Sequence, residues 1–327
     1  MSGLPFKMGF ISRWVAASAL ITLLAVPRSV MAGEPPKRIV STCLACDEII
    51  LGVLKQAGQT NRLIAVSRIA EDLRYSNIRG DLSPIPGRAG SEIEHIIGLR
   101  PDIVFITEFN RPEFRAALQK ANVPTFPLGP FNNMRDILAA IEATGAALDE
   151  PEAARFIKNQ MLAAIEDIRL RTPKNVRSDP RRSPALLGFA PDGTIAGANT
   201  PFDSIVRAAG GVNEAVRHSM SGWQRVGAEK IATFSPDWIV TSGLESERSS
   251  AIAAVKKAPG WKSLKAVREG RIIYVPSALL LATSHHVVGA IDLINRAMFS
   301  PALQNSAAPA HSAPPKVPEP PKGSTLK

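Results

Sequence analysis

The sequence predicts an α/β protein made of two related lobes joined by one long, stiff helix. Three observations predict it: strands and helices alternate in both halves, one short motif occurs in each half, and an uninterrupted helical pattern separates them. Alternating strands and helices are typical of parallel sheets that are covered by helices on both faces. We therefore expect one parallel sheet in each lobe.

The linking helix is predicted over residues 149–172. Its apolar face is formed at helical spacing by Ile157, Met161, Ala164 and Ile168. Asp149 and Glu152 have the spacing of a capping box, and Thr172 followed by Pro173 ends the helix. About 22 helical residues span roughly 33 Å, the width of a small domain. No glycine interrupts the segment, which favours a rigid connection.

The repeated motif lies on either side of this helix, from Glu94 to Asp102 and again from Glu229 to Asp237. In both copies a glutamate opens a helical turn. Proline and aspartate follow seven and eight residues after this glutamate, and an apolar strand comes next. Proline ends a helix, and aspartate turns the chain into the strand. Two copies around a rigid helix indicate related lobes.

In the first lobe, predicted over residues 33–148, we expect strands over 38–42, 62–67, 102–107 and 124–128, and helices over 47–56, 112–121 and 133–148. Residues 68–90 are rich in glycine and proline and are predicted as one long loop, which in a compact domain is often functional. Ser91 and Glu94 predict a capping box at the next helix.

In the second lobe, predicted over residues 173–299, we expect strands over 185–189, 238–241 and 271–275, and helices over 202–209, 228–234, 249–257 and 284–299. Residues 300–327 are rich in proline, alanine and serine. They contain too little apolar surface to fold and are predicted to form a disordered tail.

Residues 1–32 are predicted to be a secretory signal peptide. Lys7 and Arg13 precede an apolar run that is too short to span a membrane, and residues 30–32 suit signal cleavage. Removing this segment lowers the formal net charge from +10 to +7 and leaves no cysteine at the new N-terminus, so no lipid anchor is expected. An exported, soluble chain without a basic stripe is not expected to bind nucleic acid.

These features together resemble the periplasmic substrate-binding proteins of metal-chelate ABC importers, the group that includes vitamin B12 and ferric-siderophore binding proteins. The resemblance covers roughly residues 37–299. It rests on both copies of the repeated motif and on residues 38–41, 64–68, 209–213 and 270–276. It implies two Rossmann-like lobes joined by one long rigid helix, as in class III periplasmic binding proteins.

The resemblance also implies the function and the partners. One metal chelate, either a ferric siderophore or a cobalamin-type corrinoid, would bind between the lobes and pass to the permease dimer of an ABC importer in the inner membrane. Glu94 and Glu229 match the permease-docking positions, although first-turn acids also stabilise helices. The protein would be a periplasmic monomer that catalyses no reaction and needs no cofactor.

Ligands of open α/β sheets bind beyond the carboxyl ends of the strands. Candidate ligand-binding residues on these loops are Cys43, Cys46, Arg68, Tyr75, Arg88, Asn110, Arg111, Trp223, His285 and His286. Arginines suit the carboxylates or phosphate of a large chelate, and the resemblance places an aromatic residue at Trp223 against the ligand. Each of these residues also has an ordinary structural explanation. The arginines could be solvated surface charges, Trp223 could pack against its own lobe, and Asn110 could cap a helix.

The two cysteines leave three roles open. They suit a disulfide in an oxidising compartment, contact with or coordination of a chelated metal, or a pair of small buried apolar side chains. The resemblance implies small polar residues at this turn, so Cys43 and Cys46 depart from it.

His285 and His286 are candidate axial ligands to a chelated metal, candidate hydrogen-bond partners of a ligand carboxylate, or simply a polar helix start. Neighbouring helical residues point about 100° apart, so the pair is not expected to chelate one ion together. Residues 278–282, Ala-Leu-Leu-Leu-Ala, lack the arginine or aspartate that the B12-binding members would have there, which argues against vitamin B12 itself.

A thiol-disulfide oxidoreductase is the alternative function, because a CxxC motif after a strand at a helix start is also the thioredoxin arrangement. Against it, Cys43 lacks the usual aromatic and proline neighbours, and a second lobe has no role. No Ser-His-Asp set or carboxylate pair in these loops indicates a hydrolase. Five histidines, one of them in the predicted tail, are a thin ligand supply for a bare metal ion.

Overall fold

The computed structural model of the chain describes residues 34–90 and 92–300. The predicted signal peptide, the predicted capping residue Ser91 and the predicted tail beyond Ser300 lie outside these residues. Residues 35–300 belong to one compact unit. No helix in the described part of the chain has the length and apolarity that a membrane span requires.

The first lobe contains a parallel sheet. Its strands are β1 (Ile39–Ser41), β2 (Leu63–Ser67), β3 (Gly87–Ala89), β4 (Ile103–Ile106) and β5 (Thr125–Pro127). They are arranged in the order β3-β2-β1-β4-β5. Its helices are α1 (Leu44–Gln56), α2 (Ile93–Gly98), α3 (Pro112–Lys120) and α4 (Met134–Leu148).

The segment predicted as a long loop is more ordered than expected. It contains the edge strand β3, which pairs with β2, and two short 3₁₀ turns, Arg68–Glu71 and Arg79–Asp81. Glycine is needed at position 87 because a Cβ there would lie 2.7 Å from the carbonyl oxygen of Ile64. A strand of three residues is too short to show the alternation by which strands are recognised.

The linking helix is α5 (Pro151–Arg171), and its predicted capping box does not form. Asp149 has a φ of 58° and closes α4 instead, while Glu150 occupies the N-cap of α5 without a side-chain capping hydrogen bond. A residue in the left-handed region ends one helix and cannot also serve as the extended N-cap of the next. Met161 and Ile168 are buried, as the apolar pattern predicted.

The capping box predicted at Ser91 and Glu94 involves Ser91, which lies outside the described residues. Glu92 occupies the N-cap position of α2 and makes no side-chain capping hydrogen bond, while Glu94 lies in the first turn.

The second lobe contains a second parallel sheet and one antiparallel pair. Its strands are β6 (Ala185–Gly188), β7 (Thr194–Ala196), β8 (Val212–Asn213), β9 (Trp223–Arg225), β10 (Trp238–Gly243) and β11 (Ile272–Pro276). The parallel sheet has the order β11-β10-β6-β8, whereas β7 and β9 pair antiparallel, which was not predicted.

The helices of the second lobe are α6 (Lys174–Arg177), α7 (Pro201–Ala208), α8 (Glu214–Arg217), α9 (Ala228–Ile231), α10 (Arg248–Lys257), α11 (Lys265–Arg268), α12 (Ser277–Leu280) and α13 (Val287–Phe299). The last helix begins at Val287, three residues later than predicted, so Ser284 and both neighbouring histidines lie in the connection before it.

Each sheet has apolar clusters on both faces, as the alternation of strands and helices predicted. Along β1, Ile39 belongs to one cluster and Val40 to another, and along β6 Leu186 and Leu187 divide in the same way. The cluster that contains Ile39 also contains Leu186 and the buried residues of α5. One continuous apolar core therefore runs from the first lobe through the linking helix into the second.

The lobes approach each other closely where α1 meets the connection before α13. A Cβ added to Gly52 would lie 2.8 Å from Cε1 of His285, a distance that real Cβ atoms essentially never show. The glycine therefore allows the imidazole ring to pack directly on the backbone of α1.

We expect Gly52→Ala to lower the free energy of unfolding by about 1–2 kcal/mol, because the clash with the buried ring outweighs the better helix propensity of alanine. Urea unfolding followed by circular dichroism measures this. Gly98→Ala in α2 is the matched control, since a Cβ there meets no atom within 4 Å. A Gly52→Ala protein as stable as the wild type would contradict this close approach.

Candidate functional site

The carboxyl ends of the two sheets face each other. Arg74, which follows β2, makes two hydrogen bonds of 2.8 Å with Glu247, which follows β10. The side-chain amide of Asn77 donates to the carbonyl oxygen of Ala278, just after β11, at 2.7 Å. Loops leaving the two sheets at their carboxyl ends therefore meet, and the cleft between them lies where open α/β sheets bind ligands.

The buried carboxylate of Glu48 on α1 ties these loops together. Its Oε1 accepts hydrogen bonds from the backbone N–H of Asn77 at 3.0 Å and from the Asn77 side chain at 2.9 Å. Its Oε2 accepts from the hydroxyl of Ser284 at 2.5 Å. A buried carboxylate is tolerated when donors satisfy it in this way. The contact fixes the connection before α13 against the first lobe.

Asp47, the next residue on α1, is fully buried as well. Its Oδ1 accepts from the backbone N–H of Ser67 at 3.0 Å, and its Oδ2 accepts from the Ser67 hydroxyl. Burial raises the pKa of Asp47 to about 7, although hydrogen bonds from Ser41 and Ser67 act in the opposite direction. These serines are the last residues of β1 and β2. A carboxyl group with a pKa near neutral therefore lies at the carboxyl edge of the first sheet.

The predicted pair of cysteines forms a disulfide between Cys43 and Cys46. Cys43 is the N-cap of α1, and its sulfur accepts a hydrogen bond from the backbone N–H of Cys46 at 3.0 Å. Of the three roles that the sequence left open, the structure shows the disulfide. It occupies the turn after β1, at the carboxyl edge of the first sheet.

The two histidines lie deeper than predicted. They precede α13 instead of opening it, and their ring centroids are 4.2 Å apart. Nδ1 of His285 is shut off from solvent and has no hydrogen-bond partner among the described residues. Burial, helped by His286 and by Lys55, lowers the pKa of His285 to about 3, so its ring is neutral at neutral pH. The ring packs on α1 at Gly52.

Two predicted arginines are engaged within the first lobe. Arg68 is exposed just after β2 and pairs with Glu92 at 3.2 Å. Arg88 belongs to β3, pairs with Glu71 at 2.7 Å and donates to two backbone carbonyl oxygens. Exposed or partly exposed pairs of this kind contribute little to stability. Their role in ligand binding stays a prediction.

Three other predicted residues lie on loops at the carboxyl edge. Oδ1 of Asn110 accepts from the backbone N–H of Thr107 at 2.7 Å and from the Thr42 hydroxyl at 3.3 Å, so this side chain joins the turns after β4 and β1. It does not cap α3, whose N-cap position is the exposed Arg111. Tyr75 is half-buried in the loop between β2 and β3.

Sequence reasoning missed the large apolar side chains that stay exposed on these loops. Leu73 after β2 is 62% exposed, Phe109 after β4 is 80% exposed, and Leu281 after α12 is 50% exposed. Trp223, which was predicted, is 60% exposed at the start of β9. A signal was present in the sequence, because Leu73 and Phe109 are large apolar residues with charged neighbours in loop segments.

The predicted docking residues lie on the surface of the two lobes. Glu94 is exposed in the first turn of α2, and Glu229 is exposed in the first turn of α9. Within the described residues neither side chain forms an ion pair. Also within these residues, no group of three His, Cys, Asp or Glu side chains converges as a metal site would require.

A separate depression of about 630 Å³ lies outside the cleft, between α3 and the edge strand β5. It is lined by Pro112, Arg115, Ala116, Gln119, Asn122, Val123, Pro124 and Thr125. All of its lining belongs to the first lobe, so it is not part of the region where the two sheets meet.

Comparison with known proteins identifies the family. The family model described as "Periplasmic binding protein" matches residues 39–279, which is most of the chain. The chain therefore belongs to the periplasmic binding protein family, and the resemblance found in the sequence is confirmed.

A vitamin B12-binding protein of Yersinia pseudotuberculosis is 26% identical over 233 residues, which cover 71% of this chain and 77% of that protein. Among solved structures, the periplasmic heme-binding protein RhuT from Roseiflexus sp. RS-1 matches with a TM-score of 0.65 and 23% identity, over 80% of this chain and 98% of that one.

The periplasmic vitamin B12 binding protein BtuF of Vibrio cholerae matches with a TM-score of 0.62 and 19% identity, over 83% of this chain and 99% of that one. At these identities the solved structures show the fold. The predicted two-lobed α/β fold of the class III type is confirmed.

The buried Asp47 predicts a defined dependence of stability on pH. Since its pKa in the folded protein, about 7, exceeds its ordinary value of 3.8, the folded state binds this proton more tightly. Its stabilising contribution is complete below about pH 4 and is lost as pH rises through 7. The free energy of unfolding of the wild type minus that of Asp47→Asn should fall by about 1–4 kcal/mol between pH 4 and 8.

Urea unfolding of both proteins at each pH measures this difference in free energy. The contributions of the other titrating groups are the same in both proteins and cancel. Asp167→Asn, at an exposed position of α5, is the control and should show no comparable trend. A difference that stays constant or grows with pH would show that Asp47 is ionised in the folded protein throughout this range.

Proposed function

We propose that this member of the periplasmic binding protein family captures a metal chelate between its two lobes and delivers it to the permease dimer of an ABC importer. The chelate is a cobalamin-type corrinoid or another metal macrocycle, with a ferric siderophore as the second class. The protein is exported by its signal peptide and acts as a monomer in the periplasm, with lobes at 33–148 and 173–299.

One observation supports the proposal most strongly: large apolar side chains stay exposed on segments that follow strands of the parallel sheets in both lobes. Leu73 and Phe109 belong to the first lobe, and Leu281 belongs to the second. A chelate encloses its metal in an organic shell, so it presents a large, mostly apolar surface with a few polar groups at its edge. Such ligands need apolar contacts with a few well-placed polar groups in the protein.

The relatives support the same class of ligand. The Yersinia relative is a vitamin B12-binding protein, and the solved structures include heme-binding and vitamin B12 binding proteins. Corrin and heme are both flat macrocycles around a metal. Because residues 278–282 offer neither arginine nor aspartate, we do not assign vitamin B12 itself and keep the broader class.

The docking proposal concerns Glu94 and Glu229. Each lies in an exposed first helical turn of its own lobe and forms no ion pair with the described chain. Two unpaired carboxylates, one on each lobe, are available to arginines of a permease with two-fold symmetry.

The alternative, a thiol-disulfide oxidoreductase, is not favoured. The family model that matches most of the chain is that of the periplasmic binding proteins. We therefore propose a role in binding, with the disulfide as part of the turn after β1.

The experiment that tests the function is a titration of the full exported chain with cyanocobalamin, a ferric hydroxamate, a ferric catecholate and hemin. Tryptophan fluorescence and absorption spectra are recorded together. We expect one of these chelates to bind saturably with micromolar or tighter affinity. If none binds to protein that is folded by circular dichroism, the proposed function is wrong.

Trp223→Ala should weaken binding of that chelate about tenfold or more, or about 1.4 kcal/mol, because an exposed aromatic ring loses contact area only in the complex. The melting temperature should stay unchanged, since the ring is 60% exposed in the structure. Phe156→Ala on α5, an exposed aromatic residue outside these loops, is the matched control. Equal effects of the two substitutions would exclude a contact role for Trp223.

Glu94→Arg and Glu229→Arg should each leave chelate affinity unchanged and reduce chelate-stimulated ATP hydrolysis by the permease complex about tenfold. Glu113→Arg reverses the charge in the exposed first turn of α3 and controls for the change of net charge. Full stimulation of ATP hydrolysis by both docking variants would refute the docking assignment.

A further inference from the structure

A bidentate ion pair joins the two lobes at the partly exposed edge of the cleft. Nη1 of Arg74 lies 2.8 Å from one carboxylate oxygen of Glu247, and Nη2 lies 2.8 Å from the other. Arg74 is in the first lobe between β2 and β3, and Glu247 is in the second lobe directly before α10. Their side chains are 37% and 38% exposed, so water and a ligand have access to the pair.

The second lobe holds Glu247 in place from its own side. The backbone N–H of Leu244 donates to Oε2 of Glu247 at 3.0 Å, and the hydroxyl of Tyr274 donates to the carbonyl oxygen of Leu244. The guanidinium of Arg248 lies 4.7 Å from the centroid of the Tyr274 ring. The hydrogen bonds from Arg74 lower the pKa of Glu247, which therefore is ionised at neutral pH.

The guanidinium of Arg74, in contrast, depends on Glu247 alone. Its side chain makes no other hydrogen bond with the described residues, and its position is fixed through its backbone N–H, which donates to Asp72 at 2.8 Å. Its neighbours in the chain are the exposed Leu73 and the half-buried Tyr75. Arg74 thus places a guanidinium group, which donates two parallel hydrogen bonds, next to the exposed apolar Leu73 in the chain.

We propose that Arg74 selects chelates that carry a carboxylate at their edge, and that Glu247 occupies the place of that carboxylate until such a ligand displaces it. This inference rests on the proposed function and specifies its ligand. A guanidinium binds one carboxylate through two parallel hydrogen bonds, so Glu247 and a ligand carboxylate compete for the same two donors.

Displacement of Glu247 also removes the ion pair that connects the two loops. A chelate with a peripheral carboxylate therefore replaces a contact between the lobes with a contact of its own. A neutral chelate of the same shape cannot do this, because it offers the guanidinium no charged partner. The acidic chelate therefore binds more tightly than the neutral one, because only the acidic chelate forms an ion pair with Arg74.

The test compares matched chelates that differ only in the peripheral acid: hemin with its dimethyl ester, and a cobalamin monocarboxylic acid with cyanocobalamin. Affinities are measured for the full chain and for the Arg74→Gln and Glu247→Gln variants. Arg169→Gln and Glu166→Gln serve as controls, because that 2.6 Å ion pair lies on the exposed side of α5, outside the loops around the cleft.

Arg74→Gln should weaken binding of the acidic member about 10- to 100-fold, the range expected for a hydrogen bond to a charged group. Glu247→Gln should strengthen binding of the acidic member about threefold or more, because the competing carboxylate is gone. The neutral member should change less than twofold in either variant. The control pair should change neither affinity.

If Arg74→Gln lowers the affinities for the acidic and the neutral member equally, the inference is overturned, since Arg74 would then not distinguish a chelate that carries a carboxylate. Weaker binding of the acidic member by Glu247→Gln would also overturn it, because the ion pair would then support binding. In both cases the wild type still binds a chelate, and the proposed function stands. If the wild type binds neither member of either pair, the proposed function fails and the inference fails with it.

Discussion

The arrangement of the two lobes depends on the buried carboxylate of Glu48. Burying a charged group without partners costs several kcal/mol. The side chain of Glu48 therefore requires the hydrogen bonds that Asn77 and Ser284 donate to it. Asn77 lies in the segment between β2 and β3, and Ser284 lies in the connection before α13. A single side chain of α1 thereby holds one loop from each lobe. The Arg74–Glu247 pair joins the same two lobes but is partly exposed, so it can be exchanged for a ligand at little cost.

The linking helix adds a second constraint. Because α5 contributes its buried face to an apolar cluster shared by both lobes, separating the lobes widely would expose that cluster to water. Each 100 Å² of apolar surface exposed in this way costs about 2.5 kcal/mol. We therefore expect ligand entry to involve movement of the loops around the cleft, with the core around α5 unchanged.

The alternation of strands and helices, the linking helix and the CxxC motif at a helix start were predictable, because each depends on residues that are near neighbours in the sequence. The edge strand β3 and the β7–β9 pair were not, since Gly-Arg-Ala, Thr-Ile-Ala and Trp-Gln-Arg contain no pair of adjacent β-branched apolar residues such as Ile39 and Val40 of the equally short β1. The position of the histidines also involves tertiary contacts, because Ser284 and His285, just before α13, contact Glu48 and Gly52 of the first lobe. Arg74 and Glu247 are 173 residues apart, and no local signal connects them.

The central claim is that a metal chelate binds between the lobes, against loops of both. Hydrogen–deuterium exchange with and without a bound chelate, using hemin and cyanocobalamin in turn, tests this most directly. We expect slower exchange in residues 68–78, 107–111, 244–248 and 277–286 together, and unchanged exchange along α3 and β5. Protection confined to one lobe, or to the depression between α3 and β5, would place the ligand elsewhere and exclude binding between the lobes.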